Sequence, residues 1–177
     1  MVVEFDLTLQ QLYYTMQRAV ICHKIGGYGE VLSLSSTEIP SVHDDTVKVR
    51  VLAAGIAFPD VLVVEGKHMM KREPPFVPAS ELCGVVVEIG EDVDSVKVGD
   101  YVFGTSLTGS LAEFALMRDV DCHPVPAGVV PEVCAGFEIN YGTAWHGLKD
   151  LANISEGETV LILGASGGVG MAAIDIS

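Results

Sequence analysis

The chain is short of positive charge. Only 10 of its 177 residues are Lys or Arg, against 24 Asp or Glu, for a formal net charge of -14. A nucleic-acid face needs cations to neutralise phosphate, and an anionic bilayer repels an acidic chain, so no nucleic-acid partner and no membrane are expected. Cysteine is scarce as well. Cys22, Cys83, Cys122 and Cys134 show no C-x-x-C spacing, which removes a zinc ribbon or a redox pair and leaves buried free thiols. No apolar run reaches the length of a membrane span. Asn153-Ile154-Ser155 matches a glycosylation acceptor, but no secretory signal precedes it. Residues 1–17 hold Glu4 and Asp6 and no Lys or Arg, unlike a mitochondrial presequence. A cytoplasmic protein is the expectation.

What is present is a sizeable core. Hydrophobic residues make up 49% of the chain, and its length suits one domain plus a piece of another. Residues 1–17 read as an extension in which Leu9, Leu12, Tyr13 and Met16 fall at helical spacing. From Arg18 to about Pro126 the pattern is β-rich. Short strands are expected over 19–23, 47–54, 83–89, 101–103 and 111–116, divided by Gly and Asp turns, with a helical turn over 61–66. Such spacing suggests a barrel or sandwich. Beyond Pro126 two helices are expected, one from Pro131 through Phe137 and a longer one over 141–151. The organisation is then an extension (1–17), a β-rich domain (18–127), bridging helices (128–155) and the first βα unit of a parallel sheet (156–177).

That last unit carries the most information. Val160 to Leu163 reads as a short strand, apolar on both faces as a central parallel strand must be. It runs into Gly164-Ala165-Ser166-Gly167-Gly168-Val169-Gly170 and the start of a helix. Glycines at 164, 167 and 170 suit a tight turn on which backbone approaches a pyrophosphate, with helix N–H groups aimed at the phosphates. An ordinary glycine-rich turn is the competing reading. No second strand follows, nor an acidic residue about twenty positions on to hold a ribose hydroxyl.

Several segments resemble one family in order. They are Arg18-Ala19-Val20, Gly26-Gly27 with Glu30-Val31-Leu32, Ala53-Ala54-Gly55-Ile56 followed by Pro59-Asp60, Pro78-Ala79-Ser80-Glu81 with Gly84, Val98 to Gly104, Tyr141-Gly142-Thr143-Ala144-Trp145-His146, and the glycine turn. Together they resemble the zinc-independent quinone oxidoreductase branch of the medium-chain dehydrogenase/reductase superfamily. The resemblance runs from about Gln17 to Ser177. It implies an α+β then α/β fold: a GroES-like β-barrel domain followed by the truncated start of a Rossmann domain. It implies hydride transfer from NADPH, with NADH possible, to a small carbonyl or quinone substrate in the cleft between domains. Homo-oligomers are also possible.

Zinc-dependent relatives carry Cys before the loop Asp and a His-Glu pair later. Here those positions are Ala57 and Ser80-Glu81, and neither Ala nor Ser replaces a thiolate or imidazole, so no zinc is expected. His68 and Glu81 are metal-capable but scattered. Many relatives also have Asn at position 57 and Tyr at position 68. His68 either donates a proton to a developing oxyanion or is an exposed loop histidine. Asp60 is expected to position the loop. Thr143 either lies near the nicotinamide carboxamide or caps the bridging helix. Phe58, Met69 and Met70 either line a flat substrate's pocket or, more simply, pack in the core (Phe58) and ride a mobile loop (the methionines).

A single βα unit leaves Val160 to Leu163 without a neighbour, so residues from about Glu158 onward are expected to pack poorly or to pair with another copy. On this reading the chain alone is inactive. The alternatives are a non-catalytic GroES-like interaction or regulatory module, and, less favoured, an enoyl reductase domain cut from a larger synthase.

Overall fold

The computed structural model describes residues 15–177. β1 (Met16–Cys22) leads through α1 (Tyr28–Val31) into β2 (Leu32–Glu38), and the two strands pair antiparallel from Met16↔Glu38 to Cys22↔Leu32. β3 (Thr46–Gly55) is followed by α2 (Phe58–Val64), then β4 (Glu81–Ile89), β5 (Tyr101–Ser106) and β6 (Phe114–Pro124). These four strands close into a barrel in sequence order, with β6 returning to β3 between Thr46↔Arg118 and Arg50↔Phe114. Beyond the barrel lie α3 (Pro131–Cys134), α4 (Glu138–Trp145), a π-helical turn His146–Leu151, and α5 (Gly168–Ile176).

Alternation along β3 builds the barrel core. Val47 and Val49 point inward and meet Leu82 and Val86 of β4, Val102 of β5, and Ala115 and Met117 of β6. Small and β-branched side chains suit so narrow an interior, where a period of two sends alternate residues inside. The helices dock at one rim. Phe103 of β5 meets Phe137 edge-on at 6.0 Å, and Phe137 stacks on Tyr141 of α4 at 4.4 Å. Ala144 of α4 is buried against Ala172 and Ala173 of α5, three small side chains that let the two helices approach closely. All four cysteines are buried and free.

The sequence reading is corrected at several points. Leu9, Leu12 and Tyr13 lie outside the described residues, but Met16 opens β1 rather than extending a helix. β2 was not expected: its Ser- and Thr-rich sequence pairs with β1 alone, so backbone hydrogen bonding forms it while Leu34 stays exposed. β6 begins three residues later than the expected strand and runs on through the polar stretch to Pro124, because β3 and β5 both supply ladders for it. The first bridging helix stops at Cys134, and the second begins at Glu138 and widens into the π turn after Trp145. Residues 160–163 form no strand, since no neighbour pairs with them among the described residues. Ile162 packs against the α4–α5 pair, but Leu161 and Leu163 are 84% and 85% exposed. The helix that follows is better packed than expected, with Gly170, Ala172 and Ala173 buried. Among the described residues no helix is long and apolar enough to cross a membrane.

Truncating Leu82, fully buried at the barrel centre, removes its contacts and leaves a cavity. Leu82→Ala is expected to lower unfolding free energy by about 2–5 kcal/mol in a urea titration, with the slope of the transition unchanged.

Candidate functional site

The loop that leaves β3 and the first turn of α2 form one wall of an open cleft, and α4 with the glycine turn forms the other. The cleft has a volume of about 610 Å³. Ile56, Ala57, Phe58 and Pro59 face Ile139, Asn140 and Thr143, and Gly164, Gly167, Gly168, Val169 and Gly170 close the far side. Phe58 is 72% exposed on this wall, so the simpler expectation that it packs in the core does not hold. Thr143 sits in the body of α4, whose N-cap is Phe137, so it caps nothing and presents an exposed side chain to the cleft.

The glycine turn leads into a helix as expected, though no strand leads into it among the described residues. Gly164 adopts φ +70, the left-handed region that side chains resist. A Cβ at Gly170 would lie 2.3 Å from the Gly164 carbonyl oxygen, so only glycine lets α5 start that close to the turn. The nine residues of α5 begin at Gly168, and the first-turn N–H groups of a helix have no acceptor within it. Ala165 and Ser166 lie in the turn but off the cleft wall.

Asp60 holds the facing loop. Its Oδ2 accepts the Ala57 backbone N–H at 2.7 Å, folding α2's first turn back on itself, and the Ser80 hydroxyl donates to its Oδ1 at 3.3 Å. Burial pushes its carboxyl upward, against those hydrogen bonds and the charges of Arg72 and His68. Nothing in this geometry brings Asp60 to the cleft itself; it shapes the loop that does line it. His68 lies across Pro59, in a separate crevice of about 80 Å³ with Met70, Arg72 and Ser80. Its Nδ1 accepts the Met70 backbone N–H at 3.2 Å, which in the neutral ring leaves the proton on Nε2. Met69 is exposed and touches neither space.

Asn140 escaped the sequence reading, and Glu81 was read only as a scattered metal-capable residue. Asn140 lines the cleft, its Nδ2 donating to the Gly136 carbonyl at 2.8 Å while its side chain fills the space a Cβ on Gly168 would need. No local pattern marks it. Glu81 is 2% exposed, and its Oε1 accepts the Ile139 N–H at 2.7 Å. Burial raises its pKa above the ordinary carboxylate range, opposed by that N–H and reinforced by the charges of Glu138 and Asp60. Glu138 is likewise raised by burial, with His123 opposing and Asp121 reinforcing, and its Oε2 is buried without a partner.

Residues 43–127 match the alcohol dehydrogenase GroES-like domain model. A quinone oxidoreductase-like protein 2 homolog of Nematostella vectensis is 38% identical over 90% of this chain and 44% of its own length. The solved human synaptic vesicle membrane protein VAT-1 homolog-like protein superposes with a TM-score of 0.87 at 31% identity, over 91% of this chain and 52% of that one. The chain is a quinone oxidoreductase-like member of the medium-chain dehydrogenase/reductase superfamily. A mycobacterial superfamily structure, solved complexed with NADPH, matches with a TM-score of 0.82 at 31% identity, over 89% of this chain and 48% of that one. The chain spans about half the length of the curated relatives it matches. The fold is thus the superfamily's GroES-like barrel followed by helices and the glycine turn. Ala57 and Ser80 offer no thiolate or imidazole, and among the described residues no group of three or more His, Cys, Asp or Glu is placed to hold a metal ion.

Asp60, Glu81 and Glu138 all hold protons more tightly folded than unfolded. Their contribution is therefore present at acid pH and lost as pH rises through the raised values. The share of stability that these three groups control is expected to rise as pH falls toward the ordinary carboxylate range, compared in urea melts. Glu138→Gln, which removes a buried charge lacking a partner at Oε2, is expected to gain about 1 kcal/mol at pH 7.5 and to flatten that dependence.

Proposed function

We propose that this chain forms the substrate-side wall and the pyrophosphate turn of an oxidoreductase that transfers hydride from NADPH, or NADH, to a quinone or enone without zinc. The observation that carries the reading is the single cleft in which Thr143 and the glycine turn face the Ile56–Pro59 loop. The NADPH complex of a structural relative supports the choice of cofactor.

The residues fit such a cofactor. The backbone N–H groups of Gly168, Val169 and Gly170 open α5 and would hold its pyrophosphate, helped by the positive end of the helix dipole. The Thr143 hydroxyl would hold the carboxamide end, and Asn140 would order the wall between them. When bound, the nicotinamide supplies the hydride. Ile56, Phe58 and Pro59 would orient a flat acceptor against it and exclude water, while Asp60 keeps their loop in place. The donor set at Ala57 and Ser80 lacks thiolate and imidazole, so polarisation of the acceptor oxygen falls to hydrogen-bond donors. His68, with its proton on Nε2 in the neutral ring, is the side chain proposed for that donation, reached past Pro59.

Nicotinamide fluorescence with the purified chain tests the reading. NADPH should bind saturably. Gly170→Val, which drives a side chain into the Gly164 carbonyl, should abolish binding, and Thr143→Ala should weaken it about threefold to tenfold. His68→Phe should leave cofactor affinity unchanged, because His68 lies outside the cleft. Failure of the wild-type chain to bind either nucleotide would overturn the proposal and favour the non-catalytic module.

A further inference from the structure

We propose that Glu81 is a positioning residue: its buried carboxylate seats the first turn of α4 on the barrel and so sets where Asn140 and Thr143 stand in the cleft. This rests on the nicotinamide reading of the cleft for its consequence, though not for the seat itself.

Helix α4 has no side-chain cap of its own, because Phe137 occupies the N-cap position. Its opening N–H groups therefore need an acceptor from elsewhere. The barrel supplies one from 58 positions earlier in the chain, where Glu81 Oε1 meets the Ile139 N–H at 2.7 Å. A carboxylate there also complements the positive end of the helix dipole.

The same rung of the barrel makes a second contact with the helical segment. Glu81 pairs with Gly55 across β3 and β4. A Cβ on Gly55 would stand 2.0 Å from the Ala135 carbonyl oxygen and 3.2 Å from Glu81 Cβ. Backbone contact at Gly55 and a charge-assisted hydrogen bond at Glu81 thus pin one short stretch, residues 135–139, to one point on the rim. Asn140 follows immediately, and Thr143 lies three residues on, the spacing that places both on one face of the helix. Both line the cleft.

The arrangement is a costly way to obtain adhesion alone. Glu81 is almost wholly buried, and Glu138 and Asp60 add charge of the same sign. A well-packed apolar side chain would attach a helix at lower cost. What a carboxylate adds is direction, since the bond to Ile139 holds only over a narrow range of helix placement.

Two measurements on the full chain test this. Hydrogen exchange resolved by residue should show that Glu81→Ala loses protection across residues 139–143 while β3, β4 and β5 keep theirs. Glu81→Gln, which retains the acceptor oxygen, should keep both. Unchanged protection of α4 in Glu81→Ala, or equal loss throughout the barrel, would overturn the proposal. Affinities for NADPH and for 2′-phospho-ADP-ribose, which lacks the nicotinamide, then separate positioning from general support. Glu81→Ala should weaken NADPH by about tenfold or more and the nicotinamide-free probe by less than about twofold, with Glu81→Gln near wild type for both. Equal weakening of the two probes would refute the positioning role. If the wild-type chain binds neither probe, the cofactor reading fails, whereas the exchange pattern still decides whether Glu81 seats the helix.

Discussion

The candidate cleft rests on the closure of β6 against β3. Five residue pairs, from Thr46↔Arg118 to Arg50↔Phe114, turn a four-stranded sheet into a barrel without free inner edges. Closure on so few strands fills the interior with valine, leucine, alanine, methionine and one cysteine, so aromatic groups are pushed to the rim. That rim then carries the candidate cleft. β3 leaves the barrel at Gly55 into the Ile56–Pro59 loop, β4 enters it at Glu81, and both points face the helices. A closed barrel with the candidate cleft kept outside it separates scaffold from loop and helix surface.

Electrostatics at the rim runs against stability. Three carboxyl groups, Asp60, Glu81 and Glu138, are held where water cannot fully solvate their charge, each raised first by burial. Asp60 recovers part of that cost through the Ala57 N–H and the Ser80 hydroxyl, and Glu81 through the Ile139 N–H. Elsewhere acidic groups are relieved in the ordinary way, as where Glu113 is held below the usual carboxylate range by Arg18, through its backbone N–H and its guanidinium. The contrast places the unfavourable charge beside the cleft, where strain and function tend to coincide.

Much of the fold was legible from local pattern. Val47 to Ala54 and Cys83 to Ile89 alternate or run apolar as barrel strands do, and both formed close to where they were expected. β2 was invisible because Leu32–Glu38 has only two apolar residues, Leu32 and Leu34, amid Ser and Thr; its ladder is with β1 alone. Residues 160–163 failed in the opposite sense. Their composition is that of a strand, but a strand is a relation between neighbours, and none is present to complete it among the described residues. At the site, glycine spacing revealed the turn because a close backbone approach can be met only by glycine. Asn140 and Glu81 could not be found that way. An Asn against a helix start and a Glu across 58 positions owe their meaning to tertiary contact, which no window of sequence contains.

The chain's only tryptophan, Trp145, is the last residue of α4, two positions beyond Thr143, and it is partly open to solvent. It therefore rides on the helix that Glu81 seats and that borders the cleft. Indole emission overlaps the absorption band of a reduced nicotinamide, so the protein carries its own optical donor beside the place where an acceptor dye would sit. Occupancy of the cleft and displacement of the helix become two distinct spectral events, energy transfer for the first and a shift in emission for the second, read from one unlabelled molecule.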